Sequence, residues 1–71
     1  LLAQFQGDYT TAAGRLSQAI NREEGNWLLY YLRAKIEHQG GEDAAARIDL
    51  REAQRLNPEE ECLREGFEGC G

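Results

Sequence analysis

Proline occurs only once in this 71-residue chain, at Pro58, and the chain contains no long run of β-branched residues. Proline breaks a helix interior and β-branched residues favour strands, so two common obstacles to helix formation are rare here. The remaining composition is rich in Ala, Leu, Glu, Arg and Gln, which have high helix propensities. The composition therefore predicts an all-α protein.

Long apolar segments and clusters of positive charge are also missing. No stretch approaches the ~18 consecutive apolar residues of a membrane span, and no basic segment precedes an apolar run as in a secretion signal. The net charge of -5 disfavours nucleic acid, because affinity for phosphate backbones comes mainly from clustered Lys and Arg. We expect no direct membrane insertion and no nucleic-acid partner. The localisation stays open, with the cytoplasm slightly favoured.

Patterns typical of catalytic and metal sites are missing as well. His38 is the only histidine, and no serine or cysteine stands at a spacing typical of a nucleophile. Gly40-Gly41 lacks the Lys and Ser or Thr that follow the glycines of a phosphate-binding loop. Two cysteines and one distant histidine make a poor zinc-ligand set. We therefore expect no enzyme, no cofactor and no bound metal.

The two cysteines, Cys62 and Cys70, are eight residues apart. If one α-helix runs through both, their Cα atoms lie about 12 Å apart at a rise of about 1.5 Å per residue. A disulfide needs Cα atoms within about 7 Å, so this spacing predicts free thiols. A disulfide would instead indicate that Gly66 or Gly69 breaks the helix and that the compartment is oxidising.

Residues of matching type recur at a spacing of 34. The matched positions are Gly7, Asp8, Ala12, Leu16 and Ala19 in the first half and Gly41, Glu42, Ala46, Leu50 and Ala53 in the second. A glycine followed by an acidic residue suits the end of one helix and the start of the next, and small alanines let helices approach closely. This period is typical of helix-turn-helix units that bury their apolar faces against each other.

The pattern resembles the tetratricopeptide repeat (TPR) family, whose second helix carries Gly-acidic-Tyr, Ala, a large apolar residue and Ala, followed by Leu-x-Pro. The matches are Gly7-Asp8-Tyr9, Ala12, Leu16 and Ala19, then Gly41-Glu42, Ala46, Leu50, Ala53 and Leu56-Asn57-Pro58. The first-helix slots are met in part, on Tyr30, Arg33, Ala34 and Glu37, or on Leu29, Leu32, Arg33 and Ile36 if one residue is inserted. The resemblance implies antiparallel helix-turn-helix repeats, as in a fragment of an α-solenoid.

We expect a single domain over residues 1–71, with a partial first unit over 1–26, a second unit over 27–60, and a third helix pair or capping helix beginning within 58–71. Helices are predicted over 1–6, 9–22, 27–39 and 43–56, with a last one starting at Pro58. The predicted core residues are Ala12, Leu16, Ala19, Leu29, Leu32, Ile36, Ala46, Leu50, Ala53 and Leu56. Because the chain begins at Leu1 rather than at Met, we expect a piece of a longer protein.

The helix over 27–39 carries the candidate binding residues, because the resemblance implies that first helices line a concave groove. Its leucine side, formed by Leu28, Leu29, Leu32 and Ile36, should belong to the core. The predicted partner-binding residues are Trp27, Tyr30 and Tyr31, with Lys35 and His38 as polar neighbours. Aromatic residues are favoured at protein contacts. The alternative is that Tyr30 or Tyr31 merely packs between helices.

The leading functional hypothesis is a protein-protein interaction module that binds a partner peptide or helix. One alternative is an assembly segment that forms a homo-oligomer or packs on flanking repeats through ends that expose Leu2, Phe5, Leu63 and Phe67. Another is a non-catalytic accessory domain of a larger enzyme or membrane protein.

Overall fold

The computed structural model describes the backbone of residues 2–65 and the side chains of residues 8–64. Its elements are α1 (Leu2–Arg22), α2 (Trp27–Gln39), α3 (Asp43–Leu56) and a short 3-10 helix, η1 (Glu61–Glu65). Residues 2–65 include no strand, and the helices pack against one another, which confirms the all-α prediction. The bounds of α2 and α3 agree with the predicted ones, and α1 ends where the sequence predicts.

The predicted turn at Gly7-Asp8 is wrong, because α1 passes through both residues without a break. Gly7 has no neighbouring glycine in the sequence, and one glycine inside a helix costs only about 1 kcal/mol relative to alanine. α1 also contains Gly14 in its interior. At the end of α2, by contrast, two consecutive glycines and a specific set of hydrogen bonds stop the helix.

Both ends of α2 are capped as the residue types predict. At the start, the side chain of Asn26 accepts a hydrogen bond from the backbone N–H of Leu28, at 3.1 Å. At the end, Gly41 has a φ of +88°, a left-handed conformation that glycine adopts without strain. The N–H groups of Gly41 and Glu42 then donate to the carbonyls of His38 and Glu37. This pair of bonds is a Schellman motif, which fixes the turn into α3.

α2 runs antiparallel to α1. Ser17, late in α1, lies against Arg33 in the middle of α2, with 3.0 Å between the hydroxyl and the guanidinium. Tyr9, early in α1, lies beside Gly40 at the end of α2. A Cβ atom at Gly40 would stand only 3.3 Å from that of Tyr9, so the missing side chain allows the two helices to approach closely here.

α3 also packs against α2, and the core lies where these two helices and η1 meet. Tyr31, Ala53 and Leu63 form a buried cluster, and Ala34 and Ala46 are completely buried. Ala46 and Ala53 were predicted in the core, and these two predictions are confirmed. Seven other predicted core residues are half-buried: Ala12, Leu16, Ala19, Leu29, Ile36, Leu50 and Leu56.

The chain after α3 differs from the sequence prediction. Pro58 and Glu59 form a turn rather than the start of an α-helix, and η1 follows. Cys62 is disulfide-bonded, so the prediction of free thiols is wrong. That prediction assumed an α-helix running on through Cys62, whereas Cys62 lies in a short 3-10 helix. Cys70, the other cysteine of the sequence, lies outside the described residues.

The prediction that Leu63 is exposed at the end of the array is also wrong. Leu63 is buried, because η1 folds back against α3 and the side-chain amide of Gln54 donates to the Leu63 carbonyl at 3.0 Å. The side chains of Leu2, Phe5 and Phe67, the other residues in that prediction, lie outside the described part of the chain.

Candidate interaction surface

Tyr31 is not on the surface that the sequence analysis assigned to it. Its exposed fraction is 1%, and it packs with Ala53 of α3 and Leu63 of η1. A side chain buried to this degree offers no area to a partner in this structure. The interpretation of Tyr31 as an exposed anchor is therefore wrong, and inter-helix packing, the alternative considered for it, is what the structure shows.

The other four predicted residues are spread over different environments. Trp27 and Tyr30 are half-buried and pack on the edge of the Tyr31 cluster. Lys35 is half-buried on another side of α2. His38 is exposed, and its Nδ1 lies 2.9 Å from Oδ1 of Asp43, so it links the end of α2 to the start of α3. The five residues therefore do not form one continuous surface.

A pair of leucines, assigned to the core by the sequence analysis, lies on the surface instead. Leu28 is 43% exposed and Leu32 is 37% exposed. Successive residues of an α-helix are separated by about 100°, so Leu28 and Leu32 lie one turn apart on one face, together with Lys35 and Gln39. We call this face, formed by Leu28, Leu32, Lys35 and Gln39, the leucine face. Predicting Leu32 as a core residue was wrong.

The side of α2 that is buried is not the predicted one, and this difference has a physical cause. α3 and η1 approach α2 from the side of Tyr31 and Ala34, so that side is buried. Both sides of α2 are apolar enough to form a core, and periodicity within one helix cannot decide between them. The neighbouring segment that covers a face determines whether it is buried. Here Leu63 of η1 packs against Tyr31 in the buried cluster.

A polar cluster joins all three α-helices next to this core. Arg33 of α2 donates from Nε to Oδ2 of Asp49 at 2.7 Å and from Nη2 to Oδ1 at 2.6 Å. Its Nη1 donates to the hydroxyl of Ser17 in α1 at 3.0 Å. The guanidinium also lies over the ring of Tyr30, 5.6 Å from its centre. Asp49 is only 5% exposed, so this ion pair is largely withdrawn from water.

Glu37, one turn after Arg33 in α2, completes the cluster. Burial, a hydrogen bond with Asp49 and the negative charge of Asp49 raise the pKa of Glu37 to about 8. Burial alone would raise the pKa of Asp49, but hydrogen bonds from Arg33 and Glu37 outweigh it and lower that pKa below its ordinary value. The hydrogen bond with Asp49 raises the pKa of Arg33. This cluster is not among the sequence predictions, although Arg33 and Glu37 fall on the leucine and tyrosine slots of the family that the chain resembles and fit neither, which was a signal.

The described residues also bear on metals and membranes. Among them, no group of three or more His, Cys, Asp and Glu side chains is placed to hold a metal ion. No helix within the part of the chain that the structure describes has both the length and the apolar character needed to cross a membrane.

Comparison of the chain with known protein families, with characterised proteins and with solved structures gives no match. The resemblance to tetratricopeptide repeats therefore depends on the residues quoted above, and it stays a prediction.

Proposed function

We propose that this chain is a protein-protein interaction module that binds an apolar segment of a partner protein on the leucine face of α2. The observation that carries the proposal is the exposure of Leu28 and Leu32 on adjacent turns of one helix. Large apolar side chains that are neighbours on a surface favour a contact site, whereas singly scattered ones need no explanation.

Two further points support this surface over the aromatic one. Lys35 and Gln39 lie on the same face of α2, and polar residues beside an apolar centre are typical of protein contacts. In the family that the chain resembles, the first helix of each unit lines the binding groove, and α2 would be that helix in the unit over 27–60. A partner helix or peptide with apolar side chains one turn apart and an acidic side chain near Lys35 would suit this face.

The proposal can be tested without knowing the natural partner. A displayed library of short peptides is selected on the immobilised protein, and the enriched peptides are measured against variants. The double variant Leu28→Ala/Leu32→Ala should weaken binding at least about tenfold, equivalent to about 1.4 kcal/mol. Because both leucines are only partly covered, the truncations should cost less stability than in the buried core, and circular dichroism checks that the helicity is retained.

Ile48→Ala is the matched control, since Ile48 is a large apolar residue on α3 that is 69% exposed. It should leave binding unchanged. Peptides that bind the leucine variant as well as they bind the wild type would refute the proposed surface. Sedimentation of the same proteins tests the assembly alternative, because a dimer that dissociates in the leucine variant would show that this face binds a second copy.

A further inference from the structure

The polar cluster between the three α-helices holds more negative than positive groups. Arg33 supplies one cation, whereas Asp49 and Glu37 supply two carboxyl groups. We propose that a single proton shared by Glu37 and Asp49 stabilises the packing of α2 against α3. Loss of this proton, when Glu37 ionises, weakens that packing.

The hydrogen bonds of Arg33 show why Glu37 needs the proton. All three guanidinium nitrogens donate elsewhere, two of them to Asp49 and the third to Ser17. Asp49 is thus held in its ionised form by a bidentate ion pair, in which two charge-assisted hydrogen bonds join the guanidinium to the carboxylate. Its charge is satisfied by Arg33, and none of these bonds reaches Glu37.

Glu37 is placed where its own charge would be poorly solvated. Its Oε1 atom is buried and has no hydrogen-bond partner, and its carboxyl group is hydrogen-bonded with Asp49. Two ionised carboxylates cannot hydrogen-bond to each other, so one of them carries a proton. Because Arg33 keeps Asp49 ionised, the proton belongs to Glu37, which donates it to Asp49.

The other groups around Glu37 do not offset its charge. Arg33, on the same helix, is attractive but faces Asp49. Glu42, in the turn between α2 and α3, is a further negative group that disfavours ionisation of Glu37. From α1 the cluster receives the hydroxyl of Ser17, which does not titrate in this range. Ionisation of Glu37 therefore places two adjacent negative charges at the α2–α3 interface.

The direction of the pH effect follows from the two states of Glu37. In the unfolded chain Glu37 loses its proton near pH 4.5, whereas in the folded protein its pKa is raised to about 8. Between these values the folded state holds a proton that the unfolded state has lost, so stability falls as the pH rises and levels off above about pH 8. The lowered pKa of Asp49 acts in the opposite direction and only in acid.

The test is urea denaturation of the full chain at several pH values from about 5 to about 9. The unfolding constant of the wild type should rise with pH by several-fold per unit, with about tenfold as the limit for one proton. Glu37→Gln keeps the shape and can donate to Asp49 at every pH, so its profile should be much flatter. Glu24→Gln, in the exposed turn before α2, should follow the wild type.

Equal profiles for the wild type and Glu37→Gln would overturn the proposal. A second measurement covers the case in which Glu37→Gln does not fold. Carbon NMR of the Glu37 carboxyl group in the wild type gives its midpoint of titration directly. A midpoint above about pH 7 supports the proposal, and a midpoint at or below about pH 7, toward the ordinary value of 4.5, overturns it.

Discussion

Replacing Ala46 by leucine tests how tightly α3 packs in the core. Ala46 is completely buried in α3, whose main neighbour is α2. Leucine adds three carbon atoms where no exposed surface remains, so either the side chain adopts a strained rotamer or α3 moves away from its neighbour. Overpacking of this kind commonly costs about 1–3 kcal/mol. Each kcal/mol lowers the melting temperature of a domain of this size by about 4–8 °C.

Ala44→Leu is the matched control, because Ala44 lies in the first turns of the same helix and is exposed. It adds the same three carbons and should change stability by less than about 0.5 kcal/mol. Thermal melts of both variants, followed by far-UV circular dichroism, should separate by at least about 4 °C. Coincident melting curves would show that Ala46 does not lie at a tight helix contact.

Two further experiments address the glycines and the disulfide. Gly14→Ala should stabilise the protein by about 0.5–1 kcal/mol, because Gly14 is an exposed glycine in a helix with no atom in the way of a Cβ. Gly41→Ala should destabilise it by about 1–2 kcal/mol, because φ is +88° there; equal urea midpoints for the two variants would contradict both assignments. Reduction of the Cys62 disulfide should lower stability by about 2–4 kcal/mol, the contribution typical of a disulfide. Identical denaturation curves with and without reductant would contradict this.

The bounds of α2 and α3 could be predicted because their signals are local. Asn26 before α2 and the Gly40-Gly41 pair after it act through hydrogen bonds within a few residues. Gly7 shows the limit of that reasoning, since a Gly-acidic pair matching Gly41-Glu42 lies inside α1. The residue types at such a pair permit a turn but do not require one.

The candidate surface could not be predicted in the same way, because it depends on which neighbour covers which face of α2. Leu32 and Tyr31 are adjacent in sequence and both suit a core, yet only Tyr31 is covered, by a segment that begins thirty residues later at Glu61. The polar cluster could not be predicted for the same reason. Arg33 and Glu37 read as poor matches to the leucine and tyrosine slots, and only the register of α3 shows that Asp49 stands opposite them.

The short turn at Gly40-Gly41-Glu42 has a consequence for the order in which the chain acquires its structure. α2 and α3 meet across a loop of three residues, so little chain entropy is lost when they come together. The contact between Tyr31 and Leu63, in contrast, closes a loop about ten times longer, so its formation costs more chain entropy. Helices joined by such short loops can therefore pair early, and the segment that covers Tyr31 joins the structure in a later step.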